Sequence, residues 1–271
     1  MYYLSLTRTP WVFWTERMGV KFFEVEHGVP DFVLPFVRGS AFWPAKTFAR
    51  ELWGIDASAK AQLSESGTAE CLPYYSDLTR FHRGDESYAP NGELRFLFAG
   101  HYSFRKGFDT LIGAIEQLKL LCGDLKWHVT LCGDGDLKHL LTERPELEDR
   151  VTNLGFLEIA EVPGVMKRHD VFVTPSRYDG WGMVVPEALA AGMPVIATPA
   201  MGSANDVTGN PDCLRRIAPG DTNALAQAMR WFVENVQAID ELGGQAVQVA
   251  SRYDSVAGSQ RFTELVTRVL S

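Results

Sequence analysis

The chain has 271 residues, 46% hydrophobic and 22% charged, with a formal net charge of −8 at neutral pH. That length permits one large or two small domains with their own cores, and the acidic balance argues against a general nucleic-acid binder, which must meet phosphates with positive charge. Cys71, Cys122, Cys132 and Cys213 show neither C-x-x-C spacing nor zinc-type pairing with histidine, so neither a disulfide framework nor a structural metal is expected and a reducing cytoplasm fits. No charged-then-apolar leader and no run of eighteen apolar residues stands in the sequence, so neither a signal peptide nor a spanning helix is expected.

Residues 1–84 are unusually aromatic. Eleven tryptophans and phenylalanines between Trp11 and Trp53 are interrupted by Arg17, Arg38 and Arg50. Aromatic and basic residues together suit a membrane or lipid interface. The irregular helical phase and the admixed acids favour a small core packed around large side chains. Breakers and polar residues then coincide in GDESYAPNG, which predicts a linker over 85–92.

Beyond the linker, apolar runs predict strands near 94–99, 127–132, 151–154, 171–174 and 194–198, alternating with helical segments. Such alternation implies βαβ units and a parallel sheet. Phe108, Leu111, Ile112, Ile115 and Leu118 recur at helical spacing and predict the first crossover helix. Further helices are predicted at about 221–236, with Asp221 as cap and Leu225, Met229 and Phe232 as apolar stripe, and at about 258–270. Each glycine motif follows a strand: Gly100-His101, Gly133-Asp134-Gly135 and Gly155-Phe156. A lone G-x-G also occurs in plain turns; here order and spacing carry the signal, because ligands of such sheets sit beyond the carboxyl ends of the strands. Lys106, with Arg105 beside it, falls between a buried-type strand and an amphipathic helix, a place that suits a ligand contact better than a solvated lysine.

The densest motif is TPSRYDGWGMVVPEALAAGMPVIAT, residues 174–198. Asp179-Gly180-Trp181-Gly182 forms a turn between strand and helix, and its glycines let the backbone approach a ligand closely. The helix start near Met183 and Val184 offers free amides and partial positive charge, which suit a diphosphate; Pro186 fits in the first turn. Asp179 and Glu187 flank that site, and carboxylates accept hydrogen bonds from sugar and ribose hydroxyls. Either acid alone is equally explained by a turn preference or a helix dipole; the combination points to a nucleotide sugar.

This stretch resembles the E-x7-E signature of family 4 (group 1) retaining glycosyltransferases of the GT-B fold, with Asp179 where the first glutamate usually stands, the charge kept and the reach shortened. Residues 94–111 resemble the same family's strand, glycine loop and Lys-Gly turn, with Lys106 in place of the diphosphate-binding lysine. Where the family often has an arginine after the loop glycine, this chain has His101, which is mostly neutral at pH 7 and so weakens a two-cation clamp.

The resemblance covers 93–271 firmly and 51–84 loosely. It implies an α/β GT-B fold, with a Rossmann-like donor domain over 93–271 and a partial α/β acceptor-side domain over 1–84, either part of a longer enzyme or a short form completed by a partner. It also implies a metal-independent transfer of a sugar, with retention, from a nucleoside diphosphate to a hydroxyl of a glycan or lipid-linked acceptor. Lys106, Asp179 and Glu187 would act at the reacting centre. Gly100, His101, Arg105, Gly133, Gly135, Gly155, Phe156, Gly180, Trp181, Gly182, Met183 and Val184 would join them around the donor. Asp179 would hold sugar hydroxyls; Glu187 would hold the ribose or neutralise a cation near the phosphates. The rival class is a non-catalytic sugar-nucleotide-binding or partner subunit. A dinucleotide oxidoreductase fits poorly, since no G-x-G-x-x-G follows the 94–99 strand. A cytoplasmic location is expected, with peripheral membrane contact left open.

Overall fold

The computed structural model describes residues 69–84, 90, 92–207 and 211–270, together with the backbone of four short strands nearer the amino terminus. The aromatic side chains between Trp11 and Trp53, and most of the 85–92 linker, lie outside the described residues. The chain divides into two compact units, one formed by 1–76 with 253–271 and the other by 77–252.

In the first unit β1 (Tyr2–Leu6) and β2 (Thr9–Trp14) pair antiparallel, and β3 (Glu24–Val25), β4 (Leu52–Gly54) and β5 (Ala69–Cys71) form a parallel sheet. The second unit is built on six parallel strands: β6 (Leu94–Ala99), β7 (Trp127–Cys132), β8 (Val151–Gly155), β9 (Val171–Thr174), β10 (Val195–Ala197) and β11 (Leu214–Arg216). Their spatial order is β11-β10-β9-β6-β7-β8. Four of the five strands predicted from apolar runs are central and the fifth, β8, lies at an edge and is largely exposed; Phe96, Val129, Val171, Phe172 and Ile196 in the central strands are fully buried, as expected where helices cover both faces.

The crossovers are α1 (Phe108–Cys122), α2 (His139–Thr142), α3 (Val162–Met166), α4 (Val184–Ala190) and α5 (Gly202–Asp206), and α6 (Thr222–Glu234) and α7 (Ile239–Ala250) follow the last strand. α1 buries the predicted stripe Phe108, Leu111, Ile112, Ile115 and Leu118 and packs against α6. Asp221 caps α6, its carboxylate accepting the Ala224 amide at 2.8 Å. The last helix, α8 (Ser255–Leu270), belongs to the first unit, where Leu265 is buried against Leu72 and Val266. Among the described residues no helix is long and apolar enough to cross a membrane.

The strand order reverses direction between β6 and β9, the neighbours at the middle of the sheet. Connections leave these two strands toward opposite edges, so a crevice opens outside their carboxyl ends. Into it run the two segments richest in candidate residues, 100–107 after β6 and 175–183 after β9.

Candidate functional site

The two loops are joined by backbone first. The Arg177 amide donates to the Arg105 carbonyl at 2.8 Å. Gly107 has φ 70°, a left-handed conformation that favours glycine, and a Cβ there would stand 2.0 Å from the Pro175 carbonyl oxygen. This contact brings the predicted charges together. Lys106 Nζ donates to Asp179 Oδ2, and Arg105 Nη1 lies 3.7 Å from Asp179 Oδ1 and 3.2 Å from the Tyr178 carbonyl. Asp179 is itself fixed, its amide donating to the Ala200 carbonyl at 3.2 Å beside β10. Two cations and one carboxylate thus share a half-buried cluster at the end of β6 and β9, with Lys106 and Asp179 18% and 16% exposed.

The glycine motifs after β6, β7 and β8 converge on a second feature, a cleft of about 380 Å³ lined by Gly100, His101, Gly133, Asp134, Gly135 and Phe156, with Ala99, Cys132, Leu157 and Val162 completing its wall. Gly133 and Gly135 are more than turn residues. A Cβ on Gly133 would meet the Gly100 carbonyl oxygen at 2.0 Å, and one on Gly135 would meet the Tyr102 carbonyl oxygen at 2.6 Å. The Gly133 amide donates to the Gly155 carbonyl at 2.7 Å, so all three loops are in register. Phe156 projects outward, 74% exposed, on the rim of a mostly apolar cleft. Hydrogen bonds from Lys138 and the Gly135 amide hold the Asp134 carboxyl below the usual carboxylate range. The arrangement offers an apolar slot with a few polar groups, which suits a flat heteroaromatic ring with a sugar attached.

Glu187 lies in the first turn of α4, half-buried. Burial pushes its carboxyl up to about 7, against the opposing pull of Arg80. No hydrogen bond or ion pair of its side chain links it to Lys106, Arg105 or Asp179 among the described residues. Trp181 is placed differently from expectation: its indole is a core side chain, 2% exposed, while its carbonyl accepts the Ser203 amide at 2.8 Å. Gly180 is buried, and Gly182 has φ 82°, with Met201 Cε 2.6 Å from where a Cβ would stand. Met183 and Val184 lead into α4, half-buried, as the motif predicts.

Sequence reasoning passed over the residues that brace these loops. Tyr102 is fully buried, stacks on Phe108 with ring centroids 4.1 Å apart, and donates to Asn153 Oδ1 at 2.8 Å. Asn153 also accepts the Gly155 amide at 2.9 Å, so one side chain couples the loop after β6 to the loop after β8. Arg177 braces the other side through Asp109 and Phe104. A tyrosine directly after a glycine-loop residue was the available signal for the first; Arg177 had none but its place inside the densest motif.

A family model described as glycosyl transferases group 1 matches residues 93–235. The chain is 27% identical over 154 residues to the 2-deoxystreptamine N-acetyl-D-glucosaminyltransferase of Niallia circulans, covering 56% of this chain and 39% of that protein. It is 35% identical over 115 residues to the D-inositol 3-phosphate glycosyltransferase of Arthrobacter sp. (strain FB24), covering 40% of this chain and 27% of that protein. The chain thus spans less than half the length of these curated relatives. Among solved structures it resembles Anabaena HepE in complex with UDP, with a TM-score of 0.76 at 21% identity over 91% of this chain and 72% of that one. Parallel sheet, flanking helices and structural likeness agree on an α/β, Rossmann-like fold of the GT-B type.

Proposed function

Because the chain belongs to the group 1 glycosyl transferases, we propose that it binds a nucleoside diphosphate sugar and transfers the sugar, with retention of configuration, to a hydroxyl of a glycan or lipid-linked acceptor. The observation that carries the donor reading is the convergence of Lys106 and Arg105 on Asp179 at the topological switch point, next to a cleft of about 380 Å³ that suits a nucleoside. The base and ribose take the cleft between His101, Gly133, Gly135 and Phe156, with Gly155 at the end of β8 behind it. The diphosphate takes the cations, aided by the amides of Met183 and Val184, and Glu187 accepts the ribose hydroxyls.

In the reaction the bond between the anomeric carbon and the diphosphate oxygen breaks, with the electron pair going to that oxygen. The acceptor oxygen bonds to the anomeric carbon on the same face, and its proton passes to the departing diphosphate. Lys106 and Arg105 stabilise the charge growing on the leaving group, which is electrostatic stabilisation and needs no covalent enzyme intermediate. Asp179 holds sugar hydroxyls while keeping the cations in place. The reading requires no divalent metal and places the protein in the cytoplasm, where its four free cysteines persist as thiols. HepE in complex with UDP supports a nucleotide in a fold of this shape.

A second reading, a donor-binding subunit without transfer activity of its own, is favoured by His101, which stands on the cleft wall where an arginine is the usual family choice. Incubation of the chain with donor sugars and a panel of acceptors separates the two. Transfer by the chain supports the enzyme, and binding without transfer or donor hydrolysis supports the subunit.

A further inference from the structure

Arg177 lies three residues beyond the end of β9 and carries none of the ligand roles assigned above. Its guanidinium grips Asp109 with both prongs, Nη1 to Oδ1 at 2.6 Å and Nη2 to Oδ2 at 2.7 Å. Nη1 also donates to the Phe104 carbonyl at 2.8 Å, Nη2 to Thr110 Oγ1 at 3.1 Å, and the guanidinium carbon lies 3.7 Å from the centre of the Phe104 ring. Its own amide donates to the Arg105 carbonyl. One residue therefore ties the loop after β6, the first turn of α1 and the loop after β9.

The two residues whose place these bonds determine are Arg105 and Lys106. Their carbonyl neighbours at 104 and 105 are held by Arg177, and α1 begins at Phe108, whose next two residues are the other anchors. Asp179, the partner of both cations, stands only two residues beyond Arg177. A planar fork fixes direction as well as distance, which a lysine ammonium at the same place does not.

We propose that Arg177 is a positioning residue for the donor diphosphate: without touching the donor, it holds Arg105 and Lys106 in register with Asp179 so that both cations face one phosphate-sized site. Removing the fork leaves the loop to be ordered when the diphosphate binds, and that ordering is subtracted from affinity. The pair is 23% and 33% exposed and bidentate, so losing it costs some fold stability as well. The signature of positioning is therefore a binding loss that depends on Lys106, which a merely structural role does not produce.

This inference rests on the donor reading above, and calorimetry with UDP, GDP and ADP tests the two separately. The wild-type chain, Arg177→Gln, Arg177→Lys, Lys106→Ala and the Arg177→Gln/Lys106→Ala double variant are titrated with whichever nucleotide the wild type binds. Arg177→Gln weakens binding about tenfold or more, the scale of losing one pre-ordered charged contact, at a temperature where thermal melts show the variant folded, and Arg177→Lys does not restore it. In the Lys106→Ala background the same substitution costs clearly less than it does alone, because one of the two cations it positions is gone. Asp109→Asn, which loosens the fork from the other side, gives the same coupled loss and serves if Arg177→Gln does not fold. Affinity unchanged by Arg177→Gln, or losses that multiply in the double variant, overturns the positioning role and leaves the donor site standing. A wild-type chain that binds none of the three nucleotides overturns both.

Discussion

The Lys106 ammonium and the Asp179 carboxylate, 73 residues apart in the chain, form an ion pair across the carboxyl ends of β6 and β9. The lysine is thereby aimed before any diphosphate arrives. Lys106→Ala should weaken nucleoside diphosphate binding by roughly 1.5 to 3 kcal/mol, the range for a hydrogen bond to a charged group, and leave the melting temperature nearly unchanged. Calorimetry with the same nucleotide on both proteins checks it; equal affinities with the fold intact remove the lysine from the site.

The proposed function gives Asp179 two duties, and its substitution separates them. Asp179→Asn releases both cations from a carboxylate, so free nucleoside diphosphate should bind as well as before or more tightly. Turnover with the sugar donor should fall, because the sugar hydroxyls lose a charged acceptor. Parallel losses of nucleotide affinity in Asp179→Asn and Lys106→Ala would contradict this division.

Gly133 is a steric requirement. A methyl group there would stand 2.0 Å from the Gly100 carbonyl oxygen, and backbone cannot move aside as a side chain can. Gly133→Ala should force the loops after β6 and β7 apart, destabilise the fold by roughly 1 to 3 kcal/mol as overpacking does, and open the cleft they line. Gly155→Ala meets open space but requires φ 69°; it should cost about 1 to 2 kcal/mol, the penalty of a left-handed residue, without that steric collision. Chemical denaturation of both variants distinguishes collision from strain.

The pH dependence follows from Glu187. Its carboxyl is raised to about 7 in the folded chain from an ordinary value of 4.5. The associated stability is fully present below about 4.5 and is lost as pH rises through about 7, because the folded state resists the charge. Relative to Glu187→Gln, the wild type should therefore lose stability between pH 5 and 8. Donor binding should run the other way, strengthening over the same window as the carboxylate that accepts the ribose hydroxyls forms. A UDP-sugar suits the titration because its diphosphate does not itself titrate there. A pH profile of affinity that is identical in Glu187→Gln excludes the ribose role.

Much of the six-stranded unit was legible because its sequence signals are local. The strands around Phe96, Val129 and Phe172 are buried on both faces and read as apolar runs; α1 keeps a single apolar stripe. The edge strand β11 was not legible, since Leu214-Arg215-Arg216 has no apolar alternation. Its Arg215 lies over the Trp231 ring, with the guanidinium carbon 3.6 Å from the ring centre, a contact that only the fold supplies. α7 was hidden by Gly243-Gly244, which reads as a break; Gly243 and Ala246 are buried there and α7 packs closely on α4, where small residues permit the approach. At the site, Lys106, Asp179 and the cleft glycines were readable from order and spacing. The burial of Trp181 and the brace at Arg177 were not, because each depends on partners from distant strands.

The most direct test is calorimetry of the chain with UDP-, GDP- and ADP-sugars in EDTA-treated buffer, paired with thermal melts of the same samples. The account predicts saturable one-to-one binding of at least one donor without added metal, a stabilisation of roughly 2.7 kcal/mol at 100 times the dissociation constant, and weakening of both in Lys106→Ala. Failure of every donor to bind a folded chain would contradict the donor site and with it the proposed transfer.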